Sequence, residues 1–289
     1  MNHKSLDTLV DDIYKAISPL SKGKPIKLSK KDLKEFGNDM TLALESWASP
    51  IERDTTNKNT LRMSNIGRKN KQLWYDLNFK KEEKELPPSL FIKFLYGHLL
   101  EVLLLFFVKL SKHKVESLQK EVSVSGIKGH MDYKIDGEVV DIKSASGFAF
   151  KKFKDGTLAE SDAFGYLSQL AGYEAAEKTN DGGFLVINKE TGELTFFKPE
   201  DLDKPNIKNR IREVKRIVKR KTPPDFCYPT IPEGKSGNMK LPRECTYCPY
   251  KYECHKSSND GKGLRVFNYA KGPTYFTKII NEPKVEEVL

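Results

Sequence analysis

One turn signal constrains the fold of this chain more than any other feature of its sequence. Asp136-Gly137 separates two segments, 127–135 and 138–145, in which apolar and polar residues alternate. An Asp-Gly pair between alternating segments is typical of a two-residue β-hairpin turn. We therefore expect an antiparallel hairpin whose register fixes which side chains face each other.

That register gathers charged side chains on one face. Asp132 faces Asp141, His130 faces Lys143, and side chains two positions apart share a face. The opposite face suits burial because it is apolar: it carries Met131, Tyr133, Ile135, Val140 and Ile142. Two opposed carboxylates repel each other unless a cation neutralises them. The pair indicates a divalent metal site, and the alternative is the solvated face of an ordinary hairpin.

Glu101 is a candidate third carboxylate. It lies in the apolar segment 91–110, for which we expect a buried core helix capped by Ser89. A buried carboxylate needs a proton, a basic partner or a metal ion, so a core ion pair is the alternative. Four polar residues interrupt this segment and argue against a membrane span: Lys93, His98, Glu101 and Lys109.

The order of the elements indicates the fold class. We expect an α/β (mixed α+β) fold in which helices flank a central mixed β-sheet. Further helices are predicted at 6–17, 31–49, 61–78 (with Ser64 as a possible cap), 161–178 and 207–221. A strand is predicted at 117–125, a second hairpin at 183–187 and 193–198, loops at 54–59 and 146–160, and irregular structure from 223.

Four regions are expected along the chain. They are an N-terminal helical region (1–60), a core (61–222), a small Cys-rich metal-bound segment packed on the core (223–258) and a C-terminal tail (259–289). The first ten residues are mixed and polar, unlike a secretory signal. We expect a cytoplasmic protein, or one of the host cytoplasm if its source is viral, without a membrane partner.

The positive net charge points to the class of partner. A charge of +10 favours an anionic partner, and nucleic acid is the commonest one. Lys151, Lys152 and Lys154 follow the hairpin closely and are expected to contact the DNA backbone without reading sequence. Trp74 and Tyr75 are candidates for stacking on bases or for packing.

The four cysteines lie late in the chain. Cys245, Cys248 and Cys254 have the spacing C-x2-C-x5-C, and Cys227 precedes them. Clustered reduced cysteines usually hold a metal, and four thiolates suit either structural zinc or an iron–sulfur cluster. Unligated cysteines are the alternative, and His255 is a spare candidate ligand.

Four short motifs follow one another in the sequence: Gly97-His-Leu-Leu-Glu101, Gly129-His-Met-Asp132, Asp141-Ile-Lys143 and Gln169-Leu-Ala-Gly-Tyr173. Together they resemble the RecB-type branch of the PD-(D/E)XK nuclease superfamily, which includes phage exonucleases and CRISPR-adaptation nucleases. The resemblance covers roughly Leu61–Cys254. It implies a restriction-endonuclease-like core and DNA phosphodiester hydrolysis that depends on Mg²⁺ or Mn²⁺.

The resemblance also implies roles for the matching residues. The metal ligands would be Glu101, Asp132, Asp141 and the carbonyl oxygen of Ile142. Lys143 would orient or activate the attacking water and stabilise charge at the phosphorus centre. Gln169 and Tyr173, whose i, i+4 spacing puts them on one helix face, would line the DNA path, and we expect His130 to contact DNA as well.

The cysteines match the resembling family only in part. There, the late trio often joins a cysteine ahead of the core to hold a four-iron cluster, but residues 64–69 of this chain contain no cysteine. Cys227 is the remaining candidate, so the resemblance favours a [4Fe-4S] cluster with Zn²⁺ as the alternative.

The function expected on these grounds is that of a DNA exonuclease of phage-type recombination, replication or repair, whose protein partner is unknown. A structure-specific or CRISPR-associated endonuclease is one alternative. A non-catalytic DNA-binding protein of the same fold is the other.

Overall fold

The computed structural model describes residues 4–49, 60–79, 85–116 and 120–288. The chain divides into two compact units. The core unit comprises the described residues of Met1–Gly67 and Lys80–Glu213, and the C-terminal unit comprises those of Arg68–Phe79 and Val214–Leu289. The four regions expected from the sequence stay a prediction.

The α-helices of the described residues are α1 (Leu9–Ile17), α2 (Lys30–Ala48), α3 (Asn70–Asn78), α4 (Pro88–Leu110), α5 (Gly147–Lys154), α6 (Tyr166–Glu177), α7 (Ile207–Ile217), α8 (Arg243–Thr246) and α9 (Lys251–Cys254). The strands are β1 (Val115–Glu116), β2 (Lys120–Val124), β3 (Ile127–Met131), β4 (Tyr133–Ile135), β5 (Glu138–Ala145), β6 (Gly183–Asn188), β7 (Leu194–Phe197), β8 (Ile231–Pro232), β9 (Met239–Lys240), β10 (Arg265–Tyr269) and β11 (Gly272–Lys278).

The core unit is built on a five-stranded mixed sheet with the strand order β1-β4-β5-β6-β7. β5 is antiparallel to β4 and parallel to β6, and β7 returns antiparallel to β6 as the second predicted hairpin. β6 is buried along its whole length, as expected for a strand with helices on both faces. The predicted fold class, a central mixed sheet flanked by helices, is confirmed.

Different helices cover the two faces of this sheet. α1 and α4 pack on the face that carries Val140 and Ile142 of β5. Each Leu or Ile fully buried there contributes about 1.5–3 kcal/mol. The other face carries an aromatic cluster joined by α5 and α6, formed by Phe153, Tyr166, Phe184 and Phe197. Alternation along β5 therefore sends Asp141 and Lys143 toward the aromatic face.

The long apolar helix α4 is less buried than its sequence predicts. Leu104, Leu105 and Val108 in its C-terminal half are buried against the sheet, whereas Phe91 and Tyr96 are exposed. The predicted Ser89 cap is wrong, because the helix begins at Pro88, where a missing N–H costs nothing. Among the described residues, α4 is the one helix that is long and apolar enough to cross a membrane. Core helices of soluble proteins can have the same length and composition.

Three other predicted elements differ from the structure. The segment 146–160 is not a loop throughout, since α5 forms there and buries Phe150 and Phe153 on one helical face. Ser64 caps no helix, because α3 begins only at Asn70. The segment after 223 is not irregular: it forms a four-stranded sheet, β10-β11-β9-β8. The predicted loop 54–59 and part of the strand 117–125 lie outside the described residues.

Two backbone segments of the core unit approach closely at Gly67. A Cβ atom on this residue would lie 2.4 Å from the carbonyl oxygen of Gly165 and 2.7 Å from the Cβ of Ser168. Because backbone atoms cannot move aside as a flexible side chain can, only glycine fits. The contact fixes the loop that precedes α6.

Gly67→Ala should therefore lower the free energy of unfolding by about 1–3 kcal/mol, as overpacking does elsewhere. Gly37→Ala is the matched control, since Gly37 lies in α2, where an added Cβ would meet no described atom outside its own helix within 4 Å. That change should be neutral or raise stability by about 0.5–1 kcal/mol. Urea unfolding of both variants measures the difference, and equal stabilities would contradict the packing.

Candidate active site

The predicted hairpin forms, but its ladder is shorter than expected. Tyr133 pairs with Val140 and Ile135 with Glu138, as predicted. Asp136 and Gly137 have φ values of 51° and 91°, the positive angles that a tight two-residue turn requires.

The hairpin ladder ends at Tyr133, so the predicted register beyond it is wrong. Asp132 does not pair with Asp141, and His130 does not face Lys143. Residues 127–131 instead form β3, which pairs with β2 in a separate two-stranded sheet, where His130 stands opposite Glu121. Asp132 therefore lies between two strands with different partners, since β3 pairs with β2 and β4 pairs with β5.

Asp141 and Lys143 form the centre of the candidate site. Asp141 is only 3% exposed, and its Oδ1 lies 2.7 Å from Lys143 Nζ. Both of its oxygens are buried and neither forms a hydrogen bond of good geometry with the described residues, so Lys143 contributes an ion pair at Oδ1 only. A buried acceptor left unsatisfied costs about 1–3 kcal/mol, and more when it is charged. The arrangement therefore favours a second cation at Oδ2.

Asp132 and Glu101 lie within electrostatic range of Asp141. Burial, Asp141 and then Glu101 raise the pKa of Asp132 to about 7. Burial also raises the pKa of Glu101, a hydrogen bond with Tyr133 opposes the rise, and Asp141 adds to it. Among the described residues, Lys143 is the cation that lowers the pKa of both Asp132 and Glu101, and it also pairs with Asp141.

Lys143 remains an ammonium ion in this setting. Burial disfavours its charge, but Asp141, Tyr166 and Asp132 together outweigh burial and raise the pKa of Lys143 above its usual value. Its Nζ also lies 5.1 Å from the ring centroid of Tyr166, close enough for a cation–π contact. The side chain is therefore a fixed positive charge.

The fit of a divalent ion rests on the donor chemistry. No three His, Cys, Asp or Glu side chains in the described part of the chain converge as a ready-made metal site. The unsatisfied Oδ2 of Asp141 and the raised pKa of Asp132 nevertheless show uncompensated negative charge. Hard carboxylate oxygens are the donors that Mg²⁺ and Mn²⁺ prefer, so the residues fit such an ion. Ile142 lies between Asp141 and Lys143 in β5.

A cleft of the core unit opens beside Asp132. Its volume is about 690 Å³. The residues that line it are Thr60, Leu61, Arg62, Ser64, Glu121, Gly126, Lys128, Gly129, His130, Asp132, Gln169 and Tyr173. The structure thus brings His130, Gln169 and Tyr173 to one cleft, as expected for residues on a common path. Arg62 and Lys128 are cleft residues that no sequence motif marked.

The wall of the cleft is built on α6. Gln169 Nε2 donates a hydrogen bond to the Tyr173 hydroxyl at 3.2 Å, as the i, i+4 spacing allows. Tyr173 packs so closely on Gly129 that a Cβ there would lie 2.9 Å from the tyrosine ring and 2.5 Å from Met63 Cβ. The glycine of the Gly129-His-Met-Asp132 motif therefore allows the strand to approach this wall.

The three predicted DNA-contacting lysines lie on α5 and are not among the residues that line the cleft. Lys154 forms an ion pair with Glu193 at 2.6 Å, and Lys151 lies 3.8 Å from Asp155. Lys152 lies over the Phe148 ring at 5.2 Å. Exposed ion pairs of this kind contribute little, so these side chains remain available for a phosphate.

The C-terminal unit brings the four cysteines together. Burial and then the neighbouring thiols raise the pKa of Cys245 to about 12. Burial also raises the pKa of Cys254 to about 11, against the effect of Lys71. Cys227 and Cys248 are among the groups that act on both thiols. Cys227 therefore lies within electrostatic range of Cys245 and Cys254, although it is distant in sequence. The four-cysteine metal site stays a prediction.

Aromatic side chains form the wall beside these thiols. Trp74, Tyr75 and Tyr250 are buried together, with Cys248 and Cys254 packed against them. Trp74 and Tyr75 therefore pack inside the unit, which removes them as candidates for stacking on bases. His255 is buried and stacked on a phenylalanine ring, so it has no evident role as a ligand.

Comparison with known proteins gives distant structural similarity alone. No protein-family profile and no curated protein sequence matches this chain. Among solved structures it resembles the protein SSO0001 with a TM-score of 0.42 and 18% identity, over 75% of this chain and 94% of that one. It also resembles an alkaline exonuclease (LHK-Exo) from Laribacter hongkongensis with a TM-score of 0.38 and 11% identity, over 61% of this chain and 94% of that one. Similarity this distant does not assign a function.

The raised pKa of Asp132 predicts a pH-dependent stability of the metal-free protein. Between about pH 4 and pH 7 the folded state holds a proton that the unfolded state has released, so stability falls as the pH rises through this window. Asp132→Asn removes the charge, and its stability gain over the wild type should grow from pH 4 to pH 8 and exceed about 1 kcal/mol. Unfolding in EDTA at both pH values measures this gain, and a gain independent of pH would refute the shift.

Proposed function

We propose that this protein is a metal-dependent DNA nuclease of the RecB-type PD-(D/E)XK class, acting as an exonuclease. The observation that carries the proposal is the buried Asp141, with one oxygen on Lys143 and the other unsatisfied, beside two further carboxylates and a cleft. A solvated hairpin face would not bury Asp141 or raise the pKa of Asp132 to about 7.

The proposed metal ligands are Glu101, Asp132, Asp141 and the carbonyl oxygen of Ile142. A bound Mg²⁺ ion would supply Lewis-acid and charge-neutralising chemistry toward a phosphodiester. Its binding would also neutralise the repulsion that Asp141 exerts on Asp132 and Glu101. An ion pair between Asp141 and Lys143 alone would not explain why Asp132 and Glu101 are buried nearby.

Lys143 would act as a fixed charge. Because its pKa is raised, it stays protonated near neutral pH and is a poor general base. It would instead hold the attacking water by donating a hydrogen bond and stabilise negative charge on the phosphoryl oxygens. The ion pair with Asp141 and the Tyr166 ring keep its ammonium group in place.

The cleft would take the DNA strand. Arg62, Lys128 and His130 offer charge or hydrogen bonds to phosphates, while Gln169 and Tyr173 shape the wall. The charge of +10 on the whole chain supports association with a polyanion. Lys151, Lys152 and Lys154 would contact the backbone outside the cleft.

Removal of the central pair tests the catalytic assignment. Asp141→Asn and Lys143→Ala should each reduce Mg²⁺-dependent cleavage of DNA about a hundredfold or more, because each removes charge stabilisation at the reacting phosphate. Lys198→Ala is the matched control, since it breaks an ion pair of similar length with Asp181, at 2.6 Å, in the same unit. Its activity should match that of the wild type.

The substrates in this assay separate the candidate activities. An exonuclease degrades end-labelled linear DNA and leaves closed circular DNA intact, whereas an endonuclease also cuts the circle. Full activity of a folded Asp141→Asn variant, verified by its melting curve, would refute the site. Binding without cleavage by the wild type at any Mg²⁺ concentration would identify a non-catalytic DNA-binding protein.

A second proposal concerns the thiols, which we infer hold an iron–sulfur cluster. Four thiolates around one zinc ion lie about 3.8 Å from each other, given zinc–sulfur bonds of about 2.3 Å. In the described residues no three cysteines converge as for a single ion, yet Cys227, Cys248 and Cys254 all raise the pKa of Cys245. A cluster can join thiolates that do not meet at one ion, because each thiolate binds a different iron atom.

Anaerobic purification tests the cluster directly. We expect a brown protein with about four iron and four sulfide per chain, as one [4Fe-4S] cluster requires. Cys227→Ser should lose this colour, because Cys227 acts on both Cys245 and Cys254 and would supply the fourth thiolate. A colourless protein with about one zinc per chain would replace the cluster by zinc, and no metal in either form would refute the site.

A further inference from the structure

A rigid loop precedes α6 and presents Phe164. The carboxylate of Asp162 accepts hydrogen bonds from the backbone N–H groups of Gly165, Tyr166 and Leu167 at 2.8–3.0 Å. Gly165 has a φ of 79°, and its backbone packs against Gly67. The loop is thus tied down on two sides, although it has no regular secondary structure.

Phe164 is nevertheless one of the most exposed large apolar side chains of the core unit, at 66%. Its ring stacks on that of Tyr166, with centroids 5.4 Å apart and an angle of 23° between the planes. Tyr166 is mostly buried by the aromatic cluster and lies 5.1 Å from Lys143 Nζ. Phe164 is therefore the exposed end of an aromatic stack that begins at the candidate catalytic lysine.

A single exposed phenylalanine is common on protein surfaces and needs no explanation by itself. Phe164 differs because its ring is held parallel to a neighbour, on a fixed loop, beside a fixed positive charge. An aromatic ring in such a place can stack on a nucleobase, whatever the sequence of the strand.

The chemistry of stacking selects one form of DNA. Inside a duplex both faces of every base are covered by the neighbouring base pairs, so an added ring has no free surface. A single strand or a frayed end exposes base faces. A ring close to the reacting phosphate therefore favours a nucleotide that is unpaired at the point of cleavage.

We propose that Phe164 is a base-stacking platform that selects single-stranded DNA or an unpaired strand end at the candidate active site. This inference rests on the proposed function for the position of the scissile phosphate. Its stacking step is independent of hydrolysis, so binding alone can test it. Phe164 is a positioning residue that acts on the nucleobase and takes no part in the chemistry.

The experiment measures the affinity for a fluorescently labelled 20-nucleotide single strand, with Ca²⁺ in place of Mg²⁺ to supply the same charge. Phe164→Ala should weaken binding about tenfold, and Phe164→Trp should keep it, because base stacking depends on the ring. Phe91→Ala is the matched control: it removes an exposed ring from α4 and should leave binding unchanged.

A strand of equal length that lacks bases separates stacking from a structural role. It keeps the phosphates, so wild type and Phe164→Ala should bind it equally. Equal affinities of these two proteins for the normal strand would overturn the inference, and so would a tenfold loss on both strands. If wild type cleaves DNA and Phe164 does not affect binding, the inference fails alone. If binding depends on Phe164 and no cleavage occurs with Mg²⁺, the proposed nuclease activity fails alone.

Discussion

The burial of Asp141 is the constraint on which the rest of the site depends. A carboxylate in a nearly inaccessible position of β5 is unfavourable unless positive charge compensates it. Lys143 compensates one oxygen and leaves the other. Ionisation of Asp132 and Glu101 would add more negative charge, and their raised pKa values reflect that cost. Strain of this kind is typical of functional sites.

The sheet holds this charge in place through its register. Because β5 pairs with β4 on one side and β6 on the other, its side chains alternate between two covered faces. Asp141 and Lys143 share one face, while Val140 and Ile142 join the core beneath α1 and α4. A shift of the β5 register by one residue would move Val140 and Ile142 to the face of the candidate site and bury Asp141 and Lys143 in the hydrophobic core. Packing of the core therefore holds the site residues on their face.

Local sequence patterns predicted those parts of the site that depend on interactions between residues near each other in sequence, such as turns and helix faces. The Asp136-Gly137 pair correctly predicted the turn of the hairpin and its first cross-strand pairs. The i, i+4 spacing of Gln169 and Tyr173 correctly predicted that both lie on one face of a helix. The early end of the hairpin ladder at Tyr133 was not predicted. It depends on the pairing of β3 with β2, which the pattern of the hairpin alone does not reveal. The helix α5 was not predicted, because its glycine and three lysines suggested a loop although Phe150 and Phe153 share a buried helical face. Residues such as Arg62 and Phe164 carry no motif, and the folded chain alone brings them near the site.

The central claim is that the three carboxylates form a divalent cation site, and calorimetric titration with Mn²⁺ tests it most directly. The account predicts binding that releases a proton near pH 6, because Asp132, with a pKa of about 7, is mostly protonated there in the metal-free protein. Heats in buffers of different ionisation enthalpy measure that release, and Asp132→Asn should abolish it while Asp141→Asn abolishes binding. Mn²⁺ binding of equal affinity in wild type and in both variants, or no binding to the folded wild type, would contradict the account.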